Sequence, residues 1–564
     1  MKCHNRPMSE IERLSERFWD LSLEASPSMA TLLGDRRFDH QLEDLSPEFL
    51  DKSVAQLSEV MSEAAALDTS RFDRQQRITQ AMLLSEASDA LTMIETRVMV
   101  ASPDPLTGPA SGILMYAGQT AAQDATQAGA LYERYRLIPR LLAQALDLHK
   151  AEVDAGRTPI AANVQRVLSQ VDDYLSSPID TDPFANLAGP DGWNGLDKWR
   201  QDMSSLTSDA IRPAFSSYRD GVEALMTAAR DEDHSGLCHI AGGDEIYARM
   251  IETFTTLPYS AQELHDIGQS QAKGIHADEF REIGQQALGT SDLAGILDKL
   301  RNDPSLRYST SEEIVAHAEE VVERSWEASA DWFNLRPVGS CSVQQVPEFM
   351  AKNAPPAYYF PPASDGSRPG TYVINTYEPA KRVRYAAEAV AFHEANPGHH
   401  FQLTLAAELS GVPEFRKRAT STAYVEGWGL YAERLADEMN LYSSDTDRLG
   451  MVSADAWRAG RLVVDTGVHA LGWNRRQAVA FLEQWTAIDP QSIQTEVDRY
   501  IGVPGQALAY KAGQIEILRL REEARSALGD RFDIKGFHDT VLGSGPMTLP
   551  MLGDLVAEWV KNVG

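Results

Sequence analysis

The chain has 564 residues and a net charge of −30 at pH 7, from 82 acidic against 52 basic side chains. Such a negative surface repels nucleic acid and anionic membranes, so neither is an expected partner. The cysteines, Cys3, Cys238 and Cys341, are too sparse for a disulfide framework or a cysteine zinc site. Because the N-terminus lacks a signal-peptide core and no run of about 18 apolar residues occurs, the expected location is the cytoplasm.

Apolar residues recur at helical spacing along most of the chain, beginning with Ile11, Leu14, Phe18 and Leu21. The segments predicted as helices are 8–24, 54–66, 75–98, 129–155, 205–230, 260–287, 311–333, 380–395, 401–410, 424–438, 454–472, 475–487 and 505–528. Loops rich in Pro, Gly, Asp or Ser separate them. The prediction is a mainly α, two-lobed body in one domain over 1–564, with the loop at 176–200 as the division between sub-lobes 1–190 and 191–564.

The region 336–378 differs, because it is rich in Pro, Tyr and Val. Two β-strands are predicted around 357–360 and 371–375, joined by a loop of turn-forming residues. The second strand, "TYVIN", could pair with an extended peptide by edge addition, which would make Tyr372 and Asn375 substrate-binding residues. The alternative is a purely structural β-ribbon.

The segment 393–400 reads "HEANPGHH". A helix predicted from Glu378–Pro379 onwards would present His393 and Glu394 near its end. Pro397 cannot donate to the carbonyl group of His393, so the helix should break there and restart at about His399. The break can return a histidine to the face of the first one, as two ligands of one metal ion require. Spacing alone leaves His399 and His400 both open as the second ligand.

A third ligand is expected downstream, in "STAYVEGWGLYAERLAD" at 421–437. Glu426 lies there in an apolar setting, where an unpaired carboxylate would be costly. The alternatives are that Glu426 is an ordinary surface residue or that Glu433, two turns on, is the ligand.

These residues carry a resemblance to a large, mostly uncharacterised bacterial family of zinc-metallopeptidase-like proteins. Its signatures, HExxPGHH followed by EGWxLYAE, are similar to "HEANPGHH" and "EGWGLYAE" here, and the similarity runs nearly end to end. Solved folds in that family look like mainly helical gluzincins, similar to carboxypeptidase Taq, thimet oligopeptidase and angiotensin-converting enzyme. The resemblance implies a bound Zn²⁺ and a deep helical cleft, with a small β-ribbon near the metal.

The resemblance also implies roles for individual residues. His393, His399 and Glu426 match the metal ligands, and Glu394 matches the general base. His400 then becomes a supporting or substrate-binding group. Tyr510, in "PGQALAYKAG", matches the tyrosine that related enzymes use to stabilise an oxyanion, although it could equally be a packed tyrosine.

Three further residues are candidates from their positions in the chain. Asp465 and His469 are four residues apart on one predicted helix, so the carboxylate could orient the imidazole of a catalytic His469. Arg461 lies one turn earlier and could bind a substrate carboxylate. The alternative for all three is a buried structural network. Lys511 could bind a substrate terminus or simply be a solvated helix residue.

The expected function is a zinc-dependent hydrolase that cleaves amide bonds in short peptides. One alternative is a zinc amidohydrolase or tailoring enzyme with a non-peptide substrate, and another is a binding protein that has lost activity. An intact Glu394 argues against the last, because a scaffold does not need a general base. Manganese or cobalt could replace zinc, and the sequence leaves the oligomeric state open.

Overall fold

A computed structural model describes residues 8–352, 354–362, 368–419 and 421–564. In the first half of the chain the helices are α1 Glu10–Ala25, α2 Pro27–Leu32, α3 Pro47–Ala65, α4 Arg74–Thr96, α5 Pro109–Gln119, α6 Ala125–Tyr135, α7 Ile138–Asp154, α8 Ala161–Ser176, α9 Leu196–Leu206, α10 Arg212–Ala224, α11 Gly243–Thr255, α12 Ala261–Ser270 and α13 Ala277–Ala287. Those that follow are α14 Leu293–Asn302, α15 Ser311–Ala328, α16 Glu348–Ala351, α17 Ala387–Glu394, α18 His399–Glu408, α19 Glu414–Arg418, α20 Thr422–Glu438, α21 Asp445–His469, α22 Arg475–Trp485, α23 Pro490–Gly502, α24 Ala509–Leu528, α25 Ile534–Leu542 and α26 Leu549–Val563.

The mainly α prediction is confirmed, and the differences from it are local. The predicted segment 129–155 is two helices, α6 and α7, which part at Arg136 and Leu137. The predicted segment 260–287 is continuous but passes through a π-helical stretch, Gln271–His276, between α12 and α13. Several amphipathic helices were not predicted, among them α8, α11, α14, α23, α25 and α26.

The hydrophobic core does not divide at residue 190. One buried cluster joins α1, α3 and α4 to helices near the C-terminus, and Phe18 packs edge-on against Phe415 at 5.5 Å between ring centroids. A second cluster fills the space between α5 and α10, so it runs from before residue 190 to Val222. The predicted sub-lobes 1–190 and 191–564 therefore do not follow the packing of the molecule.

Three strands form a small sheet: β1 Cys341–Gln345, β2 Ala357–Phe360 and β3 Gly370–Ile374. The predicted pair, β2 and β3, is present and antiparallel, while residues 363–367 of the predicted loop between them lie outside the described part of the chain. The unpredicted β1, "CSVQQ", is short and has only two apolar residues, and it pairs in parallel with the other side of β3. Edge addition of a peptide to β3 is therefore wrong, because both edges of this strand are already hydrogen-bonded.

Helices α20 and α24 cross at a point where neither has a side chain. A Cβ atom on Gly513 would lie 1.8 Å from the carbonyl oxygen of Ala423, and one on Gly427 would lie 2.5 Å from the main chain of Gly513. Only glycine permits this approach of two backbones. The crossing fixes Glu426 of α20 relative to Tyr510 of α24.

Candidate metal centre

The helix that carries His393 and Glu394 begins later than its sequence predicts. Pro379–Lys381 form a short 3₁₀ turn, and Val383 makes an isolated bridge with Arg307, so α17 starts only at Ala387. The predicted break at Pro397 is confirmed, since α17 ends at Glu394 and α18 begins at His399.

The Asn396–Pro397 peptide bond between the two helices is cis. The indole N–H of Trp428 donates to the carbonyl oxygen of Pro397 at 2.8 Å. A Cβ atom on Gly398 would lie 1.9 Å from the carbonyl oxygen of His393, so the chain folds back more tightly than any side chain would allow. This return brings His399 beside His393.

His393, His399 and Glu426 form a compact group with one candidate ligand atom each within 4.8 Å of the others. The two imidazole rings meet edge to face at 4.6 Å. One carboxylate oxygen, Oε2 of Glu426, lies 3.4 Å from Nε2 of His393 and 3.5 Å from Nε2 of His399. The three side chains converge from α17, α18 and α20.

These separations fit shared metal ligands better than ion pairs. Ligands at 2.0–2.1 Å from a tetrahedral ion are about 3.4 Å from one another, whereas a charged N–H···O bond is about 2.7–2.9 Å long. Oε2 of Glu426 and Nδ1 of His399 are buried without a hydrogen-bond partner among the described residues. The donor set and its unsatisfied oxygen therefore suit a divalent ion such as Zn²⁺.

Glu433 contacts His393 on the opposite side of the imidazole ring from Glu426. Its Oε1 lies 2.9 Å from Nδ1 of His393, the pairing that commonly orients a ligating imidazole. Burial opposes protonation of His393, but the carboxylates of Glu426 and Glu433 outweigh it and raise the pKa of His393 to about 9. Burial likewise opposes ionisation of Glu426, yet the two histidines hold its pKa well below the usual range. Glu433, the alternative third ligand in the sequence analysis, therefore lies next to the group of His393, His399 and Glu426 and is not part of it.

The predicted base and the predicted oxyanion donor both lie near this group. Glu394 is the last residue of α17 and is half-buried. Burial and the charge of Glu394 together raise the pKa of the phenol of Tyr372 in β3. The ring of Tyr510 stacks 6.4 Å from that of His393, and burial and Glu426 raise the pKa of Tyr510.

His469, by contrast, is satisfied by the main chain. The backbone N–H of Leu237 donates to its Nδ1 at 3.2 Å, and its Nε2 donates to the carbonyl oxygen of Tyr500 at 3.0 Å. Asp465 does not orient it, since that carboxylate accepts from the hydroxyl of Tyr247 and the N–H of Gly505. The predicted catalytic role of His469 is wrong, because neither ring nitrogen is available to a substrate.

Other predicted substrate-binding residues are also committed to structural contacts. His400 bonds to the hydroxyl of Tyr359 and the carbonyl oxygen of Gly339. The side chain of Asn375 donates to the carbonyl groups of Ala351 and Ala354.

Lys511 lies in a buried network, 2.5 Å from Asp455 and 2.7 Å from Gln514. The ammonium group of Lys511 is therefore neither solvated nor available to bind a substrate terminus. The predictions for His400, Asn375 and Lys511 are corrected accordingly.

Arg461 does lie beside the centre, stacked 4.5 Å from the ring centroid of Tyr510. Arg458 was missed, although it lies 3.6 Å from Oε1 of Glu433. The available signal was its position three residues before Arg461, which places both on one face of α21.

A family of bacterial proteins of unknown function, DUF885, matches residues 27–556. The chain belongs to this family. No curated protein matches the chain. The DUF885 assignment agrees with the uncharacterised bacterial family expected from the sequence, and the family's description says nothing of zinc or peptidase activity.

Two solved structures are similar over nearly the whole molecule. One is a "putative lipoprotein" from Colwellia psychrerythraea, with 25% identity and a TM-score of 0.90 over 98% of this chain and 100% of that one. The other is a "putative lipoprotein of unknown function" from Shewanella oneidensis, with 18% identity and a TM-score of 0.76 over the same shares. The second likeness shows the fold alone.

The predicted cytoplasmic location is wrong in the light of these neighbours, since both are described as lipoproteins. The small number of cysteines does not decide the compartment. Among the described residues, no helix has both the length and the apolar character needed to cross a bilayer.

Proposed function

We propose that this DUF885 protein is a zinc-dependent hydrolase that cleaves amide bonds in short peptides. The single observation that carries the proposal is the spacing of 3.4 Å and 3.5 Å from one oxygen of Glu426 to Nε2 of His393 and of His399. These three side chains would hold the ion. When bound, zinc supplies a Lewis acid that lowers the pKa of a water molecule to about 7 and polarises a carbonyl group.

Glu394 is the proposed general base. It adjoins the ligand His393 but is not itself in the ligand group, and it is half-buried at the end of α17. In the proposed reaction it removes a proton from the attacking water and later delivers that proton to the leaving amine. The main chain of α17 fixes the base relative to the first ligand.

Tyr510 is the proposed oxyanion donor. Its ring lies against both His393 and the guanidinium group of Arg461. Because its raised pKa keeps the phenol protonated near neutral pH, the hydroxyl can donate a hydrogen bond to negative charge that develops on the attacked carbonyl group.

The test is Glu394→Gln, compared with Glu414→Gln as a matched control, because the side chain of Glu414 is exposed at the start of α19. We expect Glu394→Gln to bind one zinc per chain, measured by elemental analysis, and to lose at least about 1,000-fold in kcat. The control should retain both properties. Wild-type turnover in Glu394→Gln would rule out the assigned base.

The peptide assignment is tested by the choice of substrate. We expect the zinc-loaded protein to cleave peptides of two to five residues, followed by mass spectrometry, faster than small acyl amides. Cleavage of acyl amides alone would favour a tailoring amidohydrolase. Failure to bind zinc would remove the basis of either activity.

We also propose that the protein acts outside the cytoplasm, as the descriptions of its two structural neighbours suggest. Fractionation of the native cells, followed by immunoblotting, should find the protein in the envelope. A purely cytoplasmic signal would reject this location without affecting the proposed chemistry.

A further inference from the structure

Two arginines lie side by side at the metal centre, on one face of α21. Arg458 is 9% exposed and Arg461 is 4% exposed. Their guanidinium groups lie 4.9 Å and 4.3 Å from the ring centroid of Trp457, and 6.0 Å and 4.5 Å from that of Tyr510. Aromatic faces thus hold both cations beside the proposed oxyanion donor.

Both guanidinium groups have hydrogen-bonding capacity to spare. Arg458 donates to the carbonyl oxygen of Ala454 at 3.2 Å, while its distance of 3.6 Å from Glu433 is too long for a hydrogen bond. Arg461 donates to Tyr500 at 2.9 Å and to Glu496 at 3.2 Å. Among the described residues, the buried Nε of Arg458 and the buried Nη1 of Arg461 have no hydrogen-bond partner.

The two carboxylates nearest the arginines, those of Glu433 and Glu496, are already paired with other groups. Glu433 is committed to Nδ1 of His393 at 2.9 Å, and Glu496 is shared between Arg461 and Arg499. Among the described residues, Arg458 is thus a buried guanidinium group with no carboxylate at hydrogen-bond distance, which is costly. A substrate carboxylate that engages it in a bidentate pair removes that cost.

The distances match a short peptide. Oε1 of Glu433 lies 3.6 Å from Arg458 and 2.9 Å from Nδ1 of His393, so that guanidinium nitrogen is within about 6.5 Å of Nδ1. Because an ion held by Nε2 would lie about 4 Å from Nδ1, the arginine is within roughly 11 Å of the metal position. Since each extended residue spans about 3.5 Å, a carboxylate at the arginines belongs within about three residues of a bond held at the candidate metal centre.

We infer that Arg458 and Arg461 form a subsite for a substrate carboxylate within about three residues of the cleaved bond. The inference rests on the proposed hydrolase. The carboxylate is supplied either by the C-terminus of the peptide or by an acidic side chain, and both sources offer the same chemistry to the arginines.

The experiment compares three sets of tripeptides: neutral with a free C-terminal acid, neutral with a C-terminal amide, and amidated with an aspartate. For zinc-loaded wild-type protein we expect kcat/KM for one carboxylate-bearing set to exceed that for the neutral amide on the order of 100-fold. A preference for the free acid identifies the C-terminus, and a preference for the aspartyl amide identifies a side chain. Equal rates for all three sets would overturn the subsite.

Arg458→Ala should reduce that preference to below about 10-fold, and Arg458→Lys should restore part of it. Arg448→Ala is the matched control, because Arg448 lies on the same helix but pairs with Asp437 and Asp445. If Arg458 merely supported Glu433, Arg458→Ala would weaken zinc binding and slow all three sets alike, which contradicts the subsite.

Calorimetry with Glu394→Gln separates this inference from the proposed function. We expect the variant to bind carboxylate-bearing tripeptides on the order of 100-fold more tightly than neutral amides. Selective binding without any cleavage by the wild-type protein would uphold the subsite and reject the hydrolase. Cleavage without selectivity in either measurement would uphold the hydrolase and reject the subsite.

Discussion

Two buried histidines of this protein show how differently the same side chain can be used. At the candidate metal centre, Nε2 of His393 faces a carboxylate oxygen at 3.4 Å, and its Nδ1 contacts a second carboxylate at 2.9 Å. At the end of α21, His469 has main-chain partners on both nitrogens. The pKa of His393 rises to about 9 despite burial, which opposes the charge, whereas burial lowers the pKa of His469 to about 4.

The difference lies in the partners and not in burial, since both rings are at most 3% exposed. Main-chain groups fix one neutral tautomer of His469 and satisfy both of its ring nitrogens. His469 therefore links α21 to the segments that contain Leu237 and Tyr500. Carboxylates arranged around a pair of imidazoles create a demand for positive charge. Sequence position on an apolar helix cannot distinguish the two situations.

Removing one histidine from each region should give the largest contrast. We expect His399→Ala to abolish stoichiometric zinc binding and to lower kcat/KM at least about 1,000-fold. His469→Ala should retain zinc but lose about 2–4 kcal/mol of unfolding free energy, because Leu237 and Tyr500 lose their buried partner. Elemental analysis measures zinc binding, and urea denaturation measures the unfolding free energy. Loss of zinc in His469→Ala would contradict the purely structural role of His469.

A smaller effect should come from the carboxylate behind the first ligand. Glu433→Gln keeps an acceptor for Nδ1 of His393 but removes its charge, so we expect zinc affinity to fall about 10–100-fold. Competition with a chromogenic chelator measures the affinity. Asp447→Asn, which alters a carboxylate on α21 that no described contact links to the metal group, is the control. An unchanged affinity in Glu433→Gln would show that His393 needs no charged support.

The smallest effect should appear on the acid side of the pH range. Because the pKa of His469 is about 4 in the folded chain and about 6.5 when unfolded, the unfolded chain binds the extra proton first as the pH falls. Unfolding free energy from this residue is therefore intact above pH 6.5 and declines towards pH 4. Between pH 6.5 and pH 5 the loss should be about 2 kcal/mol.

His469→Gln removes this titration while retaining polar atoms at the position. Urea denaturation of both proteins at pH 6.5 and pH 5 should show the variant losing about 2 kcal/mol less than the wild type. Equal losses in the two proteins would mean that His469 is already accessible to protons in the folded state.

Much of the fold was predictable, because helical periodicity and helix breakers act locally. Pro397 ended α17 and allowed α18 to restart at His399, as its missing N–H requires. The start of α17 was not predictable from Pro379, since a long-range bridge between Arg307 and Val383 holds that segment in a non-helical form. Strand β1 was missed for a related reason, because its two apolar residues, Cys341 and Val343, are a weak local signal and its pairing with β3 is long-range.

In the candidate site, too, the residues marked by local sequence signals were predictable and those that depend on long-range contacts were not. His393, Glu394 and Glu426 were identifiable because they belong to short, specific signatures, and the resemblance chose His399 where spacing left His400 equally open. The errors at His469, His400, Asn375 and Lys511 share a cause. Each depends on which distant main-chain or acidic group lies opposite, such as Asp455 for Lys511 or Gly339 for His400.

The glycine crossing of α20 and α24 has a consequence for how this centre tolerates change. Glu426 and Tyr510 lie on two helices whose backbones touch at Gly427 and Gly513, with no side chain between them. A substitution at either glycine would move a metal-side carboxylate and a phenol apart together, even though neither glycine bears a functional group. The spacing between Glu426 and Tyr510 is thus set by two residues whose contribution is the side-chain atoms that they lack.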